Sequence, residues 1–212
     1  MSISVLIADD HEVARVGLRE LLKSPAFKIV GEAHDGAEAV KKARRLKPDV
    51  VLLDVRMPGV DGLAALPQVR KAVPQARVIM LSAHDNPVLV ARSVAQGASD
   101  YLVKTCTRVE LASAIQSAHA GKGPSPAGKL AEISNYLHCQ LEIHLDGRRF
   151  TPRESQVLRC LTLGLPNRDM GYVLDVSVET VKEHVAHVLQ KFRQNDRTKV
   201  AVMALRNGIS EA

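Results

Sequence analysis

Five short stretches rich in β-branched residues, Ile3 to Ala8, Ile29 to Ala33, Val50 to Val55, Val78 to Ser82 and Tyr101 to Val103, recur through the first half of the chain. Each is followed by a segment whose apolar residues fall three and four apart. Strand and helix alternating in this way restrict the fold severely, because consecutive parallel strands need a crossover and a helix supplies it. The third and fourth stretches are almost continuously apolar, as strands covered on both faces must be. The reading is a doubly wound α/β domain. Helix starts are marked by Asp35 with Glu38 and by Thr107 with Glu110, both of the capping-box form. The first helix, after Asp10, carries Ala14, Leu18, Leu21 and Leu22 on one stripe, and the last carries Leu111, Ile115 and Ala118. Pro67 falls inside the third helix (Leu63, Leu66, Val69, Val73), where it removes a backbone donor and predicts a late start or a kink.

The pattern stops in residues 121–128, where glycine and proline are too dense for either period. The chain therefore divides into a first domain over residues 1–122, a linker over 123–147 and a helical domain over 148–212. Leu130, Ile133, Leu137 and Leu141 allow a linker helix within residues 129–142. Thr151-Pro152-Arg153-Glu154 joins an N-cap, a proline at the first helical position and a capping-box glutamate. Four helical stretches follow: Pro152 to Leu163, Asn167 to Leu174, Val178 to Arg193 and Arg197 to Asn207. In the third, Val178, Val181, Val185, Val188, Leu189 and Phe192 form the stripe expected to be buried, which leaves Glu179, Thr180, Lys182, Glu183, Ala186, His187 and Gln190 outward. A short helix, a tight turn and a longer helix with a polar outer face is a helix-turn-helix arrangement. On periodicity alone, an all-α four-helix module serving dimerisation fits as well.

With 46% hydrophobic and 25% charged residues among 212, disorder and collagen-like repeats are excluded. No apolar run approaches the ~18 residues of a membrane span, and the start MSISVLIADD does not read as a signal peptide, so a cytoplasmic protein is expected. Cys106, Cys139 and Cys160 are odd in number and widely spaced, which favours buried reduced thiols over a disulfide framework or a zinc site. The net charge of +6 permits nucleic-acid binding but falls as +4 on residues 1–122 and +2 on the rest, so charge alone identifies no partner.

Chemistry concentrates at the strand ends, where an open parallel sheet binds its ligands. Asp9 and Asp10 follow the first strand, Asp54 ends the third, Ser82 ends the fourth and Lys104 ends the fifth. Converging carboxylates stay ionised together only with a cation among them, and oxygen-only ligation suits Mg²⁺. Asp54 is then placed to attack a phosphoryl group, with Lys104 and Mg²⁺ neutralising its oxygens and Ser82 donating a hydroxyl.

Asp9-Asp10, Asp54 within LLDVRMPGVDG, Ser82-Ala83 within MLSAHD and Lys104 within YLVK together resemble the receiver domain of two-component response regulators. That resemblance implies a flavodoxin-like sheet of order 2-1-3-4-5, with Asp54 as phospho-acceptor and Asp10 as direct Mg²⁺ ligand. It further implies that Asp9 acts mainly through water and that the Arg56 backbone carbonyl is the third protein ligand. Ala83 leaves room for the phosphoryl group, Tyr101 matches the switch aromatic that moves with Ser82, and Arg56 and His84 occupy positions that tune dephosphorylation. From the residues alone, Tyr101 reads equally as an aromatic on a half-exposed edge strand.

The segment TPRESQVLRCLTLGLPNRDMGYVLDVSVETVKEHVAHVLQKF, followed by DRTKVAVMAL, is similar to LuxR-type helix-turn-helix domains, so the whole chain looks like a response regulator of the NarL/FixJ type. The resemblance assigns base or phosphate contacts to Lys182, Glu183 and Ala186. Thr180, His187, Arg193 and Lys199, together with Arg168 and Arg197, are further candidates for the DNA face. The expected partners are a sensor histidine kinase, promoter DNA and a second copy paired through Val200 to Leu205. Catalysis is expected to extend only to the chain's own phosphotransfer and dephosphorylation. A phosphohydrolase of the haloacid-dehalogenase kind would carry a second acid where Arg56 stands, and a hydrolase built on Ser82, His84 and Asp85 lacks a converging triad. A protein-binding output without DNA contact is the remaining alternative.

Overall fold

The structure, a computed structural model, describes residues 2–126 and 128–209. Ala127 of the expected linker and the last three residues of the expected helical domain lie outside the described residues. Two compact units emerge, one drawn from Met1–Asn86 and Gln96–Ala131, the other from Pro87–Ala95 and Glu132–Ala212.

In the first unit β1 (Ile3–Ala8), α1 (Glu12–Leu21), β2 (Phe27–Ala33), α2 (Gly36–Leu46), β3 (Val50–Asp54), α3 (Gly62–Ala72) and β4 (Arg77–Ser82) alternate along the chain. β5 (Asp100–Val103) and α5 (Arg108–His119) complete this unit; α4 (Pro87–Ala95), between β4 and β5 in the chain, is counted with the second. The five strands are parallel in the order β2-β1-β3-β4-β5. Alternation along the strands divides the core. Val5, Ile7, Val50, Leu52, Ile79 and Leu81 join Leu18 and Leu22 of the first helix region and Leu111, Ala114 and Ile115 of α5 in one cluster. On the other face α2 and α3 bury Ala39, Ala43, Leu63, Leu66 and Val69.

The caps explain the helix starts. Thr107 and Glu110 form a reciprocal box on α5, whereas Asp35 accepts from the Glu38 N–H while Glu38 turns to the His34 N–H instead. The predicted late start of α3 does not occur: Asp61 caps the helix, which begins at Gly62 and runs through Pro67 to Ala72. An interior proline costs about 3 kcal/mol. The buried Leu63, Leu66 and Val69 contribute about 1.5–3 kcal/mol each, which offsets the lost donor.

The second unit contains α6 (Leu130–His138), β6 (Ile143–Leu145), β7 (Arg148–Phe150), α7 (Pro152–Thr162), α8 (Asn167–Leu174), α9 (Val178–Phe192) and α10 (Arg197–Arg206). The helix allowed by residues 129–142 therefore exists but stops at His138, leaving Leu141 exposed. The antiparallel β6–β7 hairpin was not foreseen; its strands are three residues long, and its signal is the Asp146-Gly147 turn, both residues at positive φ. The buried rings of Phe150 and Phe192 lie 5.4 Å apart, tilted by 32°, and Val157, Leu158, Leu161, Val181, Val185 and Val188 are buried in the same unit. Val178 does not join the buried stripe and is 41% exposed. It is the first residue of α9, where no preceding turn of that helix covers its side chain. Of the three thiols only Cys160 is buried, and burial pushes it up to about 12; Cys106 and Cys139 are half-buried. Among the described residues no helix is long and apolar enough to cross a membrane.

One glycine ties α3 to the strand beside it. A Cβ on Gly62 would lie 1.8 Å from the Asp54 carbonyl oxygen, and the Gly62 N–H donates to the Val55 carbonyl at 3.0 Å. Gly62→Ala is expected to push α3 off the end of β3 and to destabilise the fold by about 1–3 kcal/mol, as overpacking does. Urea unfolding followed by circular dichroism measures this, since the chain has no tryptophan.

Candidate functional site

The parallel register brings the chemistry together. Leu53 pairs with Ala8, Asp54 with Leu81 and Ser82 with Val103, so the residues at the carboxyl ends of four strands face one crevice. Backbone bonds extend the alignment past the strand ends, from the Val55 N–H to the Leu81 carbonyl and from the Lys104 N–H to the Ser82 carbonyl.

Lys104 Nζ lies 2.7 Å from Asp9 Oδ2 and 3.0 Å from Asp54 Oδ2. The Asp9 side chain is fully buried and that of Asp54 nearly so. Burial pushes the Asp54 carboxyl up from the usual range, and the charge on Asp9 adds to this; the Lys104 ammonium and the Arg56 N–H oppose it. Burial works against the ammonium of Lys104 too, but the two carboxylates outweigh it and hold its pKa above the usual lysine value. Asp10 is about a quarter exposed at the rim, and His11 Nδ1 lies 2.8 Å from its Oδ1. Asp9, Asp10, His11 and Asp54 each offer a ligand atom, all within 4.8 Å of one another. Asp9 Oδ2 and Asp10 Oδ1 are buried, and beyond the Lys104 ammonium and the His11 ring nitrogen no donor among the described residues reaches them. Anionic oxygens left in that state fit a hard divalent cation.

Arg15, which no motif marks, supports this pocket from behind. Its guanidinium is buried, donates to the Asp9 carbonyl at 2.9 Å and pairs with Glu32 on β2 at 3.2 Å, so it holds the backbone that presents Asp9. The available signal was a charged residue at i, i+3, i+7 with the buried Leu18 and Leu22.

Ser82 is buried, and its Oγ accepts from the His84 N–H at 3.2 Å. Tyr101 is fully buried rather than on a half-exposed edge, and its hydroxyl donates to the His84 carbonyl at 3.2 Å. The hydrolase alternative loses its geometry here. The His84 side chain is exposed, Asp85 pairs with Lys129 at 3.0 Å, and only the backbone of His84 meets Ser82.

In the second unit α9 is capped by Ser177, and Lys182, Glu183, Ala186 and His187 are exposed on it, with Thr180 half-buried. Lys182 Nζ donates to Glu179 at 2.9 Å. Arg193, which closes α9 in the left-handed conformation, and Lys199 are exposed. Arg197 is engaged elsewhere, donating to the Asn167 side chain and the Leu165 carbonyl, and Arg168 lies over the Tyr172 ring.

Removing the ammonium tests the electrostatics directly. Lys104→Met is expected to cost about 3–5 kcal/mol at neutral pH, the penalty for stripping a buried pair of its counter-charge. Burial already raises the Asp54 carboxyl, and without the Lys104 ammonium that opposes it this group would titrate above its unfolded value, so its protonation favours the folded state and stability returns as pH falls. Unfolding at neutral and mildly acidic pH in metal-free buffer measures the trend.

Residues 5–116 match the response regulator receiver domain family, and residues 148–204 match the luxR family of bacterial regulatory proteins. Response regulator protein VraR of Staphylococcus aureus is 31% identical over 210 residues, 99% of each chain. The signal receiver domain of the response regulator NarL of Mycobacterium tuberculosis is 40% identical, with a TM-score of 0.55 over 57% of this chain and 98% of that one. A LuxR-family two-component response regulator from Aurantimonas is 29% identical, with a TM-score of 0.58 over 62% of this chain and 94% of that one. An acidic crevice at the ends of a 2-1-3-4-5 sheet and a capped helix-turn-helix thus agree with what the relatives are, and the chain belongs to the two-component response regulators that carry a receiver domain and a LuxR-type DNA-binding domain.

Proposed function

We propose that Asp54 accepts a phosphoryl group from a sensor histidine kinase and that this acyl phosphate controls promoter binding by α9. The observation that carries the reading is the Lys104 ammonium placed between Asp9 and Asp54 in a buried pocket. An Asp54 oxygen attacks phosphorus as the bond from phosphorus to the kinase histidine breaks, and the displaced imidazole nitrogen keeps the electron pair. Lys104 neutralises a phosphoryl oxygen, and the Ser82 hydroxyl, freed from the His84 N–H, donates to another. Asp10, Asp54 and the Arg56 carbonyl would hold Mg²⁺, with Asp9 acting through water; the ion supplies positive charge to the developing oxyanions. Turnover is confined to the chain's own phosphotransfer and dephosphorylation, since Arg56 stands where a phosphohydrolase would carry its second acid.

The switch follows from the same contacts. Ser82 moving to the phosphate releases the His84 N–H, and the Tyr101 hydroxyl bonded to the His84 carbonyl is the neighbour that must respond. Rearrangement across α4, β5 and α5 then shifts the population toward the DNA-binding state. On DNA, α9 enters the major groove with Lys182, Glu183 and Ala186 foremost and Thr180 and His187 beside them, while Arg193 and Lys199 meet phosphates. Val202 and Leu205 are 41% and 43% exposed on α10 and supply an apolar strip for pairing two copies on a two-fold site. Such a protein works in the cytoplasm, where kinase domain and promoter are both present.

Asp54→Asn is expected to take up no phosphate from acetyl phosphate with Mg²⁺, and its footprint on genomic DNA should no longer change when the donor is added. Uptake at wild-type level would overturn the reading. Glu183, whose carboxylate suits a cytosine N4, provides a second test. Glu183→Gln should shift base preference at one position by about 1–3 kcal/mol in a binding-site selection, and unchanged affinity and preference would remove that role.

A further inference from the structure

His11 occupies the N-cap of α1 yet caps nothing: its backbone is extended, at φ −88° and ψ 118°, and its side chain makes no hydrogen bond to the helix. Serine, threonine, aspartate or asparagine at an N-cap stabilises a helix by about 0.5–2 kcal/mol, so α1 forgoes that contribution. The imidazole stands at the rim of the acidic crevice, its side chain 71% exposed. The His11 backbone N–H donates to Asp9 Oδ1 at 2.9 Å, fixing the turn, and the ring Nδ1 stands 2.8 Å from Asp10 Oδ1 and 3.5 Å from Asp9 Oδ1. Asp9 is wholly buried, and its Oδ2 faces the Lys104 ammonium at 2.7 Å with no other donor among the described residues. The pocket therefore presents three carboxylates and one imidazole nitrogen, all within 4.8 Å of one another.

Oxygen ligands alone suit Mg²⁺, whereas an imidazole among carboxylates suits first-row transition ions, whose affinity for nitrogen rises from Mn²⁺ through Co²⁺. We infer that His11 Nδ1 is a ligand of the divalent-ion site and gives this receiver a preference for transition ions over Mg²⁺. The inference rests on the acidic pocket being a metal site, as the proposed function has it, and adds a ligand and a selectivity to it.

The test uses the full chain. Mg²⁺, Mn²⁺ and Co²⁺ are titrated by calorimetry into the wild type, His11→Gln and His11→Asn, and electron spin-echo spectra of the Mn²⁺-loaded proteins are recorded. His34→Gln, which changes an exposed histidine paired with Glu38, is the control. A directly bound imidazole nitrogen should couple to Mn²⁺ in the wild type and in His34→Gln and vanish in both His11 variants. Co²⁺ affinity should fall about tenfold or more in those variants, with Mg²⁺ affinity changing far less, so that the Co²⁺ to Mg²⁺ ratio drops. Absence of nitrogen coupling in the wild type would overturn the inference. So would a uniform rise in affinity for all three ions on removing His11, which marks an imidazolium that only competes for Asp10. If Mg²⁺ binds and Asp54 is phosphorylated while the ratio stays fixed, only the role of His11 falls; if no ion binds, the proposed phosphoryl site falls with it.

Discussion

A single ammonium between two buried carboxylates is the contact around which the receiver half is arranged. Lys104 reaches Asp9 and Asp54 only because β5, β1 and β3 end at the same level, and those ends coincide because the parallel register aligns them. Three charges in so little space are stable as a set and unstable in part. That imbalance gives the pocket its use: two anions share one cation, and further positive charge is accommodated at little cost.

The supports of this contact lie one layer out. Arg15 holds the Asp9 carbonyl, Glu32 holds Arg15, and the absent side chain of Gly62 lets α3 start against the Asp54 carbonyl. His84 uses its backbone to connect Ser82 with Tyr101, so a hydroxyl at the crevice and an aromatic ring in β5 share one peptide segment. A pocket built in this way changes state by exchanging partners, because few of its groups are free to move alone.

In the helical half, local rules carried most of the information. The Thr151 capping box, the proline after it and the apolar stripe of α9 are short-range features, and the helices fall within a residue or so of where those signals place them. Errors arose where a neighbour decides the outcome. Pro67 is tolerated because the residues on either side of it are buried, and Val178 is exposed because the first residue of a helix has no preceding turn to cover it. The β6–β7 hairpin escaped notice because strands of three residues carry no period.

Periodicity, caps and the order of acidic, hydroxyl and basic residues were enough to determine the alternating architecture, the division into a receiver and a helix-turn-helix and the identity of the crevice residues, since each is a matter of spacing along the chain. Which charges touch was decided only in three dimensions. Nothing in the spacing says that Lys104 bridges Asp9 and Asp54, that Lys182 bonds Glu179, that Arg197 is occupied by a turn, or that Arg15 stands behind Asp9. Such contacts join residues far apart in sequence or choose among rotamers of long side chains, and packing and desolvation in the folded state make that choice.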